Sequence, residues 1–194
     1  VGSEMCIRDR IYMIKLKTFG SFTVGNGLTS VQEGAWRSEK LEKLFVYLAM
    51  NRNRGVCIED ISEAIWQVEE ETDNPVGALK NLAYRLRKAL RDASFGEECI
   101  VSVRGGLYKW NDDVEVTIDV EEFDRYINEA EMAFCRSKET AIESYEKAIA
   151  LYHGDFLPLR TDTHWFMTLN AFYHSRYVNT CLLYTSPSPR DYAA

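Results

Sequence analysis

Residues 13–24, MIKLKTFGSFTV, alternate apolar and polar positions on both sides of Gly20. A period of two predicts two short strands around a turn. The period then lengthens. Leu41, Leu44, Phe45 and Leu48 fall at i, i+3, i+4 and i+7, one face of a helix. Ser38 is its N-cap and Glu39 suits its first turn. Asn51 to Gly55 ends it. In IEDISEAIW (58–66), Ile58, Ile61 and Ile65 line one side of a shorter helix. An acidic loop follows, Glu69-Glu70-Glu71-Thr72-Asp73.

NPVGALKNLAYRLRKAL (74–90) then reads as a third helix with clear punctuation. Asn74 can cap it. Pro75 takes the first helical position, where its missing N–H costs nothing. At 100° per residue, Val76, Leu79, Leu82, Ala83, Leu86 and Leu90 share one face. Gly77, Lys80, Asn81, Tyr84, Lys88 and Arg91 share the opposite face, with Arg85 and Arg87 on the flanks. CIVSVRGGLYKW (99–110) predicts a hairpin turning through Arg104-Gly105-Gly106. Strands, helix, helix, basic helix, hairpin is the order of a winged helix.

Beyond Asp112 the period stays helical. Phe123, Ile127, Ala130 and Phe134 line one helix, and Ile142, Tyr145, Ile149 and Tyr152 another. HGDFLP (153–158) is a turn. A third helix runs from Thr163, with Trp165, Leu169, Phe172 and Tyr173 inward. Paired helices of this length suggest a repeat-type array, without a clean second copy of any motif. The predicted fold is therefore α+β: an N-terminal winged helix-turn-helix over 13–111, then an all-α, tetratricopeptide-like domain over 112–180.

Charge sharpens this division. The chain has 194 residues and a formal net charge of -7. Residues 115–165 hold twelve acids and five bases, whereas residues 13–111 hold thirteen acids and fourteen bases. Between Asp73 and Asp92 there is no carboxylate, so no Glu–Lys lattice explains the five bases there as helix support. Arginine forks can pair with guanine O6/N7 or with phosphate, and Asn81 can read adenine. Gly77 would let the backbone approach DNA, and the amides of 75–77 would offer a site for a phosphate oxygen. Overall acidity does not oppose this, because charges beyond about 8–10 Å are screened at physiological salt.

Other chemistry lacks its parts. There is no P-loop, GxGxxG, GxSxG or HExxH, so an enzyme is not expected. Five cysteines without a CxxC pair, and three scattered histidines, predict neither disulfides nor a metal site, and no cofactor is expected. Cys57, Cys99 and Cys135 are expected to be small buried fillers. No apolar run reaches the length of a membrane span.

The two ends fit nothing beside them. VGSEMCIRDR at the start and CLLYTSPSPRD from Cys181 resemble translated sequencing-adaptor read-through. Residues 1–12 are thus expected to be an artefactual leader and 181–194 an artefactual tail, with the natural chain starting at Met13 and continuing past Thr180.

Several stretches together carry a family resemblance: LKTFGSFTV, RSEKLEKLFVYLAMNRNRG, DNPVGALKNLAYRLRKAL, RGGLYKW, DVEEFDRY and AIALYHGDFLP with Trp165 beyond. Residues 13–111 resemble the OmpR/PhoB-type winged-helix DNA-binding domain. Residues 115–180 resemble the bacterial transcriptional activator domain (BTAD). The pair is the layout of Streptomyces antibiotic regulatory protein (SARP) type regulators. The resemblance implies a cytoplasmic bacterial regulator, an activator, that binds double-stranded DNA. Its third helix would enter the major groove, with Lys80, Asn81, Tyr84, Arg85, Arg87, Lys88 and Arg91 at the contact. Tyr84 stands where a basic or polar residue is common in the family. Arg104 on the wing would reach the minor groove. Glu69, Glu70 and Glu71 lie where the family contacts RNA polymerase. The helical domain would support a homodimer on direct repeats. The rival reading is a helical-repeat adaptor whose winged helix does not read DNA.

Overall fold

The computed structural model describes residues 13–67, 74–95, 99–103, 106–160 and 162–185. Two compact units emerge. Residues up to Leu16 with Val24–Thr117 form one, and Lys17–Thr23 with Ile118 onward form the other. The expected boundary near residue 112 is contiguous in sequence; the observed one gives the short turn of 17–23 to the helical unit.

The alternation around Gly20 becomes β1 (Ile14–Lys17) and β2 (Thr23–Gly25). In β1, Ile14 and Leu16 are buried and the lysines between them face water. Two further strands, β3 (Ser30–Gln32) and β6 (Val116–Ile118), complete a four-stranded sheet of order β3-β2-β1-β6. Neither was expected from the sequence, since three residues are too few to show a period.

In the first unit, α1 (Glu39–Met50), α2 (Ile58–Ile65) and α3 (Pro75–Asp92) pack on one another. Leu41, Leu44, Phe45 and Leu48 of α1 are all buried, as their spacing predicts. Phe45 lies edge-on to both Trp36 and Trp110, each at 5.4 Å. Ser38 does stand at the N-cap, but only its carbonyl is used, accepting from Leu41 N and Glu42 N. Cys57 is no buried filler: its Sγ caps α2 by accepting from Asp60 N. Cys99 is buried, whereas Cys135 is exposed.

β4 (Ile100–Val103) and β5 (Leu107–Trp110) form the expected antiparallel hairpin, with Ile100 opposite Trp110 and Val103 opposite Leu107. Gly106 takes φ of +79° at the turn, which a side chain would strain. Val56 and Tyr108 exchange both backbone hydrogen bonds, at 2.8 and 2.9 Å, and tie the segment before α2 to the hairpin.

The second unit contains α4 (Asp119–Ala133), α5 (Lys138–Leu151), a single 3-10 turn at Pro158–Arg160 and α6 (His164–Thr185). α4 buries Val120, Phe123, Ile127 and Ala130, but Phe134 lies past its end and is exposed. α5 is rotated from the expected face. It buries Ala141, Ser144, Tyr145 and Ala148 and leaves Ile142 exposed. α4 and α5 pack on each other. α6 buries Phe166 and Tyr173; Trp165 is half-buried and Phe172 exposed, contrary to expectation. The helix runs on through Cys181–Thr185, and Tyr184 donates to Glu146 at 3.0 Å.

Phe19, at the tip of 17–23, is the centre of this unit. Its ring lies 5.3 Å from Phe123, 4.9 Å from Tyr152 and 5.7 Å from Tyr173. Asp119, first in α4, holds the same turn. It accepts from Thr18 N (2.7 Å), Thr18 Oγ1 (2.6 Å) and Phe19 N (2.9 Å), and from Val120 N. Burial nonetheless raises its carboxyl above the ordinary aspartate value, and these bonds only partly oppose that. Among the described residues, no helix is long and apolar enough to cross a membrane, and no cluster of three or more metal-binding side chains exists.

Candidate nucleic-acid interface

The candidate site is the outer face of α3. Asn74 Oδ1 accepts from Gly77 N at 2.8 Å and starts the helix. Leu79, Leu82, Ala83, Leu86 and Leu90 anchor its inner face. With that face fixed, Lys80, Asn81, Tyr84, Arg85, Lys88 and Arg91 all fall in the exposed set. Tyr84 is 64% exposed, in the middle of the stripe. Eighteen residues at 1.5 Å each give a rod of about 27 Å. With side chains a helix is about 10–12 Å across, which fits a groove about 12 Å wide.

Arg87 differs from its neighbours. It is half-buried, and its Nε donates to the carbonyl of Ile100 at 3.1 Å. Burial pushes the Tyr108 phenol up, and the Arg87 guanidinium pulls against that shift. Arg87 is thus committed to joining α3 to the hairpin. The helical wheel placed it on a flank but could not reveal this bond, because the contact joins residues thirteen apart.

The first turn also departs from expectation. Val76, assigned to the core face, is 43% exposed, because burial on α3 begins only at Leu79. The amide cradle at 75–77 shrinks. Pro75 has no N–H, and the Gly77 N–H is taken by Asn74. Gly77 has a local reason to be glycine: a Cβ there would lie 2.8 Å from Asn74 Nδ2. On the hairpin, Lys109 is ion-paired with Asp112. Arg104 and the acidic residues Glu69, Glu70 and Glu71 lie outside the described residues.

No family model matches the chain, and no curated protein matches it. Among solved structures, the chain is similar to Mycobacterium tuberculosis EmbR in complex with a low-affinity phosphopeptide. The TM-score is 0.72 at 18% sequence identity, over 88% of this chain and 44% of that one. The chain therefore spans less than half the length of that protein. At this identity the likeness speaks for the fold alone: this chain shares the fold of the matched part of that protein.

Proposed function

We propose that this chain is a sequence-specific DNA-binding transcriptional regulator of SARP type, an activator, with α3 in the major groove and the hairpin on the adjacent minor groove and backbone. One observation carries the reading. α3 exposes Lys80, Arg85, Lys88 and Arg91 on a helix without a single acid between Asn74 and Arg91, while a buried leucine row fixes that face outward. A solvated helix face ordinarily mixes both signs of charge. A face of one sign, interleaved with Asn81 and Tyr84, matches a polyanion that also presents base edges. The shared fold supports the same reading.

In this reading Arg85, Lys88, Lys80 and Arg91 meet phosphates and guanines, Asn81 reads adenine, and Tyr84 touches sugar or phosphate. Arg87 positions the hairpin, and Arg104 extends the contact to the minor groove. The winged helix spans 13–111 and the BTAD-like helices 112–180. The helical part serves a homodimer on direct repeats, and Glu69 to Glu71 face RNA polymerase. The protein works in the bacterial cytoplasm, without metal or cofactor.

Selection from a random duplex pool tests this, with Arg85→Glu/Lys88→Glu run in parallel. An enriched motif that the double variant fails to bind is the expected result. No enrichment by folded protein would reject the reading and favour a protein-interaction adaptor.

A further inference from the structure

We infer that α3 reads a thymine through its 5-methyl group, and that Val76 is the residue that does so; the inference rests on the DNA-binding reading above. Beside Pro75, Val76 is the one aliphatic side chain that α3 leaves exposed. Every other exposed side chain of the helix is charged, an amide or a phenol. Val76 is 43% exposed, and burial on α3 starts one turn later at Leu79. It lies one helical turn before Lys80 and two before Tyr84, so it heads the row that faces outward.

Its position in the helix matters as much as its exposure. In helix-turn-helix docking, the N-terminal residues of the recognition helix meet the base edges. The capping bond from Gly77 N to Asn74 Oδ1 holds this turn in one conformation, so the isopropyl group is presented rather than frayed. Gly77 beside it adds no side chain to screen the contact. In the major groove, the thymine 5-methyl is the one apolar group on a base edge. An isopropyl group offered there by an otherwise polar helix has a single complementary target.

The test uses the full chain and its selected duplex. Each thymine is replaced singly by uracil, which removes the methyl and nothing else. At one position the wild type should lose affinity about three- to five-fold, the worth of one buried methyl. Val76→Ser should bind the thymine and uracil duplexes alike, and Val76→Ile should keep the difference. Circular dichroism checks that both variants retain the helix. A uracil scan without a sensitive position overturns the inference, as does an equal penalty in Val76→Ser. Failure to bind any duplex overturns the DNA-binding reading, and this inference with it.

Discussion

Arg85, Arg87 and Lys88 share one turn of α3 but meet different surroundings. Arg85 and Lys88 project into water, whereas Arg87 spends its Nε on Ile100 O. Arg87→Ala should therefore lower stability by about 1.5–3 kcal/mol, the range for a hydrogen bond involving a charged group. Arg85→Ala should change it by less than about 0.5 kcal/mol. Urea denaturation of the two variants separates the roles, and equal effects would contradict them. Asp119 gives a second prediction, with its sign set by burial. Its folded pKa is raised, so the folded state holds the proton more tightly than the unfolded chain. Its contribution to stability is full below the ordinary aspartate value of about 3.9 and is lost as pH rises through the raised value. Relative to Asp119→Asn, the wild type should lose stability as pH climbs from acid toward neutrality. A flat difference between the two denaturation midpoints would refute this.

At the scale of elements, the start of α3 shows how a cap and a glycine depend on each other. Asn74→Ala should cost about 1 kcal/mol by freeing the Gly77 N–H. Gly77→Ala alone sets a gain in helix propensity of about 1 kcal/mol against a Cβ 2.8 Å from the capping amide. In the Asn74→Ala background the clash is gone, and Gly77→Ala should then be stabilising. A double-mutant cycle by thermal denaturation reads this coupling, and additive effects would show that the cap and the glycine are independent. The helix itself was legible: Asn74, Pro75 and the leucine spacing fix its start and its buried row. Val76 was misread because a period identifies a side of a helix, not where along its length the neighbours stop. α5 failed differently. Its large residues marked one face, but α5 buries the small residues Ala141, Ser144 and Ala148 beside Tyr145 and leaves Ile142 exposed.

At the scale of the whole molecule, the turn of 17–23 is far in sequence from the helices it completes. Phe19 is 3% exposed among Phe123, Tyr152 and Tyr173. Phe19→Ala should cost about 3–5 kcal/mol, as large buried aromatics do on truncation. A fragment of residues 118–185 lacks both Phe19 and the Thr18 and Phe19 amides that Asp119 binds. It should show a broad thermal transition by circular dichroism rather than a sharp one; a sharp, wild-type-like transition would sink this prediction. DNA binding carries a whole-molecule signature too. If Lys80, Arg85, Lys88 and Arg91 each neutralise one phosphate, log K should fall against log salt with a slope of about -3.6. A slope near zero would mean that the basic face is not the contact.

The sequence by itself determined what local physics controls. Alternation gave β1 and β2, helical spacing gave α1 to α3 with their buried leucines, and glycine gave the hairpin turn. The basic character of α3 was also visible, because the absence of acids over one helix is a property of composition. Tertiary structure decided which of those bases face water and which brace a neighbour, as Arg87 does against Ile100. It also decided that three-residue strands pair, that α5 buries its small side, and that Phe19 belongs with helices a hundred residues away. Each of these depends on partners distant along the chain, and no local period can encode a partner's position.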